Sequence, residues 1–236
     1  MTTRSIKLVA ILAAAALGCN QTASGPAYNP QIPTDWVSAV TNPYFPLGPG
    51  TTYQYQGQTT AGLETNTVEV LTGIRLVNGV AATIVHDRVF LNGSLIEDTY
   101  DWYAQDGVGN VWYLGEDSKE IANGQVVSTE GSWEWGVDGA LPGIIMWGDP
   151  AAHIGEEYRQ EFYAGVAEDW AKVLTLNQSV DVPYGNLTGC ITTEDRNGLE
   201  PDEPRQNKSY CRQIGLALEV VVGGGERVEL VARTTP

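Results

Sequence analysis

The chain has 236 residues, of which 29 are acidic and 13 are basic, and its formal net charge at pH 7 is −16. A surface this acidic repels nucleic acids and anionic lipids, so nucleic acid is excluded as a partner. The length suits one domain with a sizeable core, because single all-β domains of roughly 200–250 residues are common.

The N-terminus has the pattern of a secretory signal. Arg4 and Lys7 form a short basic region, and the apolar run that follows at residues 8–17 is too short to span a bilayer. Removing residues 1–18 leaves 218 residues and a net charge of about −18, because two basic residues and no acids are lost. We predict three segments: a signal peptide at 1–18, a lipidated cysteine and flexible tether at 19–33, and one β domain at 34–236.

The end of the signal resembles the lipobox of bacterial lipoproteins. It reads Ala-Leu-Gly-Cys at residues 16–19, with Ala16 where such proteins prefer leucine. The resemblance implies that Cys19 is lipidated and that Asn20 directs the protein to the outer membrane or the cell surface. An ordinary signal peptide that is cut nearby is the alternative.

The first part of the domain is irregular. Thr34 fits the cap of one or two helical turns over residues 34–40. Residues 42–47 form an extended apolar plug, because Pro43 and Pro46 bias the preceding residues away from helix.

From Gly50 onward the hydrophobic pattern has a period of two, which predicts β-strands. Runs at 51–59, 67–77, 80–91 and 94–104 are rich in Val, Ile, Thr and aromatic residues. Asn-Gly pairs follow residues 77, 91 and 122, and this pair is the strongest short signal for a β-hairpin. The central part of the chain is therefore predicted to be a meander of antiparallel strands.

Residues 136–155 contain glycines and prolines but also several large apolar side chains, so we expect a plug or a lid there. Further strands are predicted at 157–163, 167–177, 187–196, 208–212, 216–222 and 227–232. The run at 167–177 also fits a helix, but its flanking Gly165 and Pro183 favour a strand. The predicted fold is all-β, with little helix, as a strongly curved antiparallel sheet or an incomplete barrel.

Two cysteines remain after Cys19. Because an exported domain folds in an oxidising compartment, we expect Cys190 and Cys211 to form a disulfide. Two free buried thiols are the alternative.

Three long strings carry a resemblance to a family of uncharacterised exported bacterial proteins. They are DWYAQDGVGNVWYLGED, STEGSWEWGVDGALPGI and YRQEFYAGVAEDWAKVL. The resemblance covers most of residues 44–219 and implies export or lipidation and a β-rich fold, with no agreed activity. Around Cys211 the chain departs from the family, where an aromatic residue, Ala and Pro are common, and this fits a disulfide particular to this chain.

Alternation divides the central residues into two faces. One face collects Trp102, Trp133, Trp135 and Phe162, and the other collects Asp101, Glu130, Glu134, Arg159 and Glu161. The simpler interpretation is an apolar core and a charged surface in solvent. The alternative is that some carboxylates point into a barrel mouth, where Asp101, Glu130, Glu161 and Arg159 are the candidate catalytic residues. Two such acids can act as the acid and the nucleophile of a glycosidase, with Glu130 and Glu161 as the best pair.

Ligand binding is expected at Trp102, Trp133, Trp135 and Trp147. Oxygen ligands for calcium are available at Asp98, Asp101 and Asp106, although hairpin chemistry explains the same residues. We expect no other cofactor, since the two histidines stand alone without metal-ligand spacing.

Two classes of function remain. The first is an envelope lipoprotein that binds a hydrophobic or aromatic small molecule, or docks an envelope protein, and meets the membrane only through its lipid. The second is an extracytoplasmic hydrolase or lyase with a carboxylate and arginine site beside the tryptophans.

Overall fold

The computed structural model describes residues 28–236, so the signal peptide, Cys19 and most of the tether lie outside the described residues. The regular structure of the described part is β, with one short 3₁₀-helix at Pro150–His153 and no α-helix. Its strands, in chain order, are β1 (Trp36–Val37), β2 (Thr52–Thr59), β3 (Gly62–Val77), β4 (Val80–Leu91), β5 (Ser94–Asp106), β6 (Val111–Ala122), β7 (Gln125–Ser128), β8 (Trp133–Glu134), β9 (Leu141–Met146), β10 (Glu157–Arg159), β11 (Glu161–Phe162), β12 (Asp169–Val182), β13 (Gly185–Asn197), β14 (Gln206–Cys211), β15 (Gly215–Val221) and β16 (Arg227–Thr234). The all-β prediction is confirmed.

Antiparallel pairing joins thirteen of these strands into one sheet, in the order β10-β12-β13-β14-β15-β16-β2-β3-β4-β5-β6-β9-β11. The two outermost strands, β10 and β11, are separated only by Gln160. They therefore act as two halves of one bent strand, which pairs with β12 before the bend and with β9 after it. The sheet is nearly closed into a barrel.

The predicted Asn-Gly hairpins are confirmed. At the β3–β4 turn, Asn78 and Gly79 have φ values of 45° and 84°, and the pairs at the β4–β5 and β6–β7 turns also have positive φ. A two-residue turn of this type needs positive φ at both positions, which Asn and Gly tolerate best. The residues of these turns therefore determine the register of the strands that they join.

Two predictions about irregular segments are wrong. Residues 34–40 contain no helix; Trp36 and Val37 instead pair with the end of β5, and Trp36 packs against Trp112. Residues 136–155 form neither a plug nor a lid, because β9 is a wall strand that pairs with β6 and β11. In both segments, pairing with the edge of a neighbouring strand outweighed the local sequence preference, which was for helix at residues 34–40 and for a loop at residues 136–155.

The plug at residues 42–47 is confirmed. Phe45 is buried, with its ring 5.2 Å from that of Tyr103 and 6.1 Å from that of Tyr210. The Tyr53 hydroxyl donates to the Pro46 carbonyl at 2.9 Å, and the Gln213 amide donates to the Pro43 carbonyl at 2.6 Å. We call this end of the barrel, which also carries the β5–β6 and β14–β15 turns, the plug end.

The expected disulfide joins Cys190 of β13 to Cys211 of β14, whose Cα atoms face each other at 3.9 Å. Both cysteines are buried in the cluster that fills the plug end of the interior. A second apolar cluster lies on the opposite face of β4, β5 and β6, around Trp102, Trp112 and Leu114. Within the described residues, no helix has the length and apolar character needed to cross a membrane.

Candidate functional site

The plug end of the barrel interior is aromatic. The rings of Tyr103 and Tyr113 stack with centroids 4.9 Å apart, and Tyr53 and Tyr55 stack at 6.4 Å. We call this region the aromatic half, and its members are Phe45, Tyr53, Tyr55, Tyr103, Tyr113 and Tyr210.

The other end of the interior is acidic. On β5, the inward residues run from Glu97 through Asp101 to Tyr103, so carboxylates give way to aromatics toward the plug end. On β15, the buried acid Glu219 is likewise followed toward the plug end by the buried apolar residue Leu216. We call the buried inward carboxylates and their one lysine the acidic half; its members are Glu64, Asp87, Glu97, Asp101, Glu116, Glu161, Asp169, Asp195, Glu219 and Lys208.

Burial controls the charge of these acids. It raises the pKa of Asp101 to about 7, while the Tyr113 hydroxyl, which donates to Asp101 Oδ1 at 2.6 Å, lowers the pKa and Glu97 raises it. Burial also raises the pKa of Asp87 well above its ordinary value, and nearby carboxylates, including Asp101 and Glu219, raise it further. A carboxyl in a low-dielectric interior holds its proton because ionisation there is poorly solvated.

Three further acids show the same effect. Burial raises the pKa of Glu161 well above its ordinary value, and Asp169 adds to this, although the Trp133 indole N–H, which donates to Glu161 Oε2 at 2.7 Å, opposes it. Burial raises the pKa of Asp169 to about 8 and that of Glu219 to about 7, and Lys208 opposes both shifts.

Lys208 is the only buried lysine or arginine among residues 28–236. Its Nζ atom lies 3.2 Å from Asp195 Oδ2. Burial lowers the pKa of Lys208, but Asp195, Glu219 and Asp169 raise it by more, so the ammonium form is favoured. One cation therefore faces many carboxyl groups.

A cavity of about 110 Å³ joins the two halves. Its apolar wall is formed mainly by the aromatic half, and its polar end contains Gln160, Asp169, Asp195 and Lys208. Three polar atoms of the lining residues have no hydrogen-bond partner among residues 28–236: the Tyr103 hydroxyl, Asp169 Oδ1 and Asp195 Oδ2, of which the last is ion-paired with Lys208. The cavity extends to Glu203 and Pro204 in the loop between β13 and β14.

A larger cleft of about 500 Å³ lies between Tyr28, Pro30 and Pro33 of the N-terminal segment and side chains that include Trp112, Trp147 and Trp170. The Arg159 guanidinium lies over the Trp170 ring at 4.3 Å and pairs with Glu168 at 3.1 Å. Three polar atoms of its lining residues, Trp147 Nε1, Tyr158 Oη and Arg159 Nη1, have no hydrogen-bond partner among residues 28–236, so unpartnered groups do not separate the two spaces. The interior cavity is, however, lined mainly by buried side chains, whereas most side chains of the cleft are partly exposed. The interior cavity is therefore the stronger candidate site.

The four candidate catalytic residues do not converge. Asp101 and Glu161 lie inside the barrel, where Asp101 is one of the groups that raise the pKa of Glu161. Arg159 lies in the outer cleft, and Glu130 is exposed in the turn before β8.

The predicted division of faces is therefore wrong for three residues. Glu134 pairs with Arg75 away from the interior, Trp133 points inward, and the bend at Gln160 breaks the alternation between Arg159 and Glu161. A one-residue irregularity moves all following side chains to the other face of a strand.

The four candidate tryptophans are also dispersed. Trp133 is buried beside Glu161, and Trp102 lies under the Arg75 guanidinium at 4.0 Å. Trp135 packs against Trp36, and the Trp147 ring stacks on His153 in the outer cleft with centroids 3.8 Å apart. None of the four lines the interior cavity.

The candidate calcium ligands point in different directions. Asp98 accepts from His86 at 2.6 Å, Asp101 is inside the barrel, and Asp106 accepts from the Trp112 indole at 2.9 Å. Across residues 28–236, no group of three or more His, Cys, Asp or Glu side chains is arranged to hold a metal ion.

Sequence reasoning missed the residues that line the cavity. Tyr53 and Tyr55 were visible as alternate residues of one strand, and Glu97, Asp101 and Tyr103 were correctly placed on a shared face. Lys208 and Asp169 carried no local signal, because they come together only through the pairing of β12, β13 and β14.

Comparison with known proteins adds little. No protein-family model and no curated protein sequence matches the chain. One similar solved structure is an inferred exported protein with a YmcC-like fold from Bacteroides fragilis; it has 12% identity and a TM-score of 0.46, with 81% of this chain and 98% of that chain covered. Another is an inferred lipoprotein from Parabacteroides distasonis, with 10% identity, a TM-score of 0.42 and the same coverage. Similarity at this level supports no statement about this chain, and the family resemblance in its sequence stays a prediction.

Proposed function

We propose that the chain is an exported lipoprotein that binds a small molecule with an apolar body inside its β-barrel. The observation that carries this proposal is the interior cavity, which has an aromatic wall and a few polar groups at one end. Ligand sites in proteins commonly combine these two features, because burial supplies affinity and the polar groups fix orientation. The signal at residues 1–18 and Cys19 support export and lipid anchoring.

A binding role is favoured over catalysis. The arginine of the proposed enzyme site lies in the outer cleft, while the two buried acids of that site lie in the interior. Burial also raises the pKa of Asp101, Asp169 and Glu219 alike, so these three acids do not form a pair with separated pKa values. A catalytic pair needs one acid that is protonated and one that is ionised.

Neutral aromatic probes test the binding role. We expect phenol, benzyl alcohol or indole to raise the melting temperature of the full-length chain, because a ligand that binds only the native state stabilises it. Val85→Phe fills part of the cavity and should abolish the shift, whereas Val126→Phe makes the same change at an exposed position and should preserve it. If no neutral or charged aromatic probe shifts the melting temperature, the binding role is wrong.

Fractionation tests the anchor. Cys19→Ser should move the exported protein from the membrane fraction to the soluble fraction while its melting temperature stays the same. A mutant that remains in the membrane fraction contradicts lipid anchoring at this residue.

A further inference from the structure

We infer that the ligand of the interior cavity is a small organic amine, with its ammonium group at Asp169 and its apolar body against the tyrosines of the aromatic half. This inference rests on the proposed binding function and specifies the chemical class of the ligand. It follows from charge, from unpartnered polar atoms and from size.

The cations that line the cavity are already compensated. Lys208 is paired with Asp195 at 3.2 Å, and Arg196 is paired with Glu157 at 3.5 Å and lies over the Trp170 ring. An anionic ligand would therefore have to displace an existing partner. It would also approach Asp169, Asp195 and Glu203, which all line the cavity.

The acceptors are less well satisfied. Asp169 lines the cavity and is 9% exposed, and its Oδ1 atom has no hydrogen-bond partner among residues 28–236. An ammonium group can donate up to three hydrogen bonds and has no acceptor, so it matches a carboxylate oxygen that lacks a donor. Tyr103, which is 1% exposed, lines the same cavity, and its hydroxyl also lacks a partner in the described part of the chain, which provides a second acceptor.

The aromatic half suits the rest of such a molecule. The faces of Tyr103 and Tyr113 attract cations through their quadrupoles and also bury apolar carbon. The cavity of about 110 Å³ is of the same order as an apolar cavity of about 150 Å³ that binds benzene, so it has room for about one small ring. A one-ring amine with a short side chain fits this size.

The protonation of Asp169 gives the inference a pH signature. Burial raises the pKa of Asp169 to about 8, while Lys208 of β14 and Arg196 of β13 lower it, and Asp195 of β13 and Glu203 of the β13–β14 loop raise it. Glu161 of β11 also faces this group. At neutral pH the free carboxyl is mostly protonated, so binding an ammonium ion releases that proton to solvent. The amine should therefore bind more tightly as the pH rises from about 6 to about 8.

Three matched probes test the inference by calorimetry on the full-length chain: 2-phenylethylamine, 2-phenylethanol and phenylacetate. The three probes share one ring and have nearly the same size, so they differ mainly in the charge of their polar group. We expect the amine to bind at least about tenfold more tightly than the alcohol, and phenylacetate to bind most weakly. If the alcohol or phenylacetate binds as tightly as the amine, the inference is overturned while the binding function stands. If none of the three binds, both are overturned.

Two variants locate the ammonium group. Asp169→Asn should lower the affinity for 2-phenylethylamine by about tenfold and leave the affinity for 2-phenylethanol unchanged, because only the charged probe loses its counter-charge. Asp202→Asn makes the same change at an exposed position of the adjacent loop and should leave all three affinities unchanged. If Asp169→Asn does not fold, the pH dependence of the wild-type chain decides the question. An amine affinity that does not rise between about pH 6 and about pH 8 overturns the inference.

Discussion

The two halves of the barrel interior are built from different chemistry. The aromatic half is closed by the plug and the Cys190–Cys211 disulfide, and its hydroxyl groups donate mainly to nearby acceptors, as Tyr55 does to the Leu216 carbonyl. The acidic half packs many carboxyl groups around Lys208, and both carboxylate oxygens of Asp87 lack hydrogen-bond partners. The aromatic half therefore stabilises the fold, whereas the acidic half lowers the free energy of unfolding, because it buries carboxyl groups that lack partners.

The largest expected difference between the halves is in pH dependence. Asp101, Asp169 and Glu219 have folded-state pKa values of about 7, 8 and 7, above those of the unfolded chain near 4. Their stabilising contribution is complete below about pH 4 and is lost as the pH rises through 7 to 8, because the unfolded state then releases protons more easily. We expect the free energy of unfolding to fall by several kcal/mol from about pH 5 to about pH 8, since each pKa unit corresponds to about 1.4 kcal/mol.

Urea titrations across this range measure the effect. A free energy of unfolding that stays constant or rises with pH contradicts the protonated state of the acidic half. Substitutions in the aromatic half should leave this slope unchanged, except at Tyr113, which donates to Asp101 and lowers its pKa.

Lys208→Met removes the cation of the acidic half. We expect the free energy of unfolding at pH 7 to fall by about 3–5 kcal/mol, because Asp195 is left buried without its partner. Denaturant midpoints measure the change. Lys119→Met breaks a partly exposed pair with Asp117 and should cost less than about 1 kcal/mol. Equal losses in the two variants contradict the role of Lys208, and adding Asp195→Asn to Lys208→Met should restore part of the loss.

Removing the disulfide weakens the aromatic half. The double substitution of Cys190 and Cys211 by alanine should lower the free energy of unfolding by about 3 kcal/mol, because the bond closes a loop with a sequence separation of 21. The loss should be the same at every pH. A thiol probe should label these positions in the unfolded wild type only after reduction, and labelling without reduction shows that the bond does not form.

Asp87→Asn has the smallest expected effect. Asparagine has nearly the same shape and no charge, so the variant should match the wild type below about pH 4 and be more stable than the wild type at about pH 8. Asp202→Asn, at an exposed position, should change neither value. If Asp87→Asn is strongly destabilised at both pH values, the Asp87 carboxyl makes a stabilising contact that asparagine cannot replace, and the interpretation that burial keeps it protonated is wrong.

Much of the fold was predictable from local signals. The Asn-Gly turns, the period of two and the run at 167–177 all identified strands correctly, because turn geometry and alternation are properties of short segments. The site was predictable only in part. Alternation placed Glu97, Asp101 and Tyr103 on one face, but the simpler interpretation put that face in solvent.

The sequence by itself determined which residues share a strand face, where the hairpins turn and which cysteines pair. Only the tertiary structure decided which face points inward, because a period of two distinguishes two faces without saying which one is enclosed. The bulge at Gly115, the bend at Gln160 and the pairing of β9 with β6 and β11 depend on strands far apart in the chain. These contacts placed a row of acids that reads as a charged surface in the buried interior of the barrel, since closing the sheet removes water from one face of every strand at once.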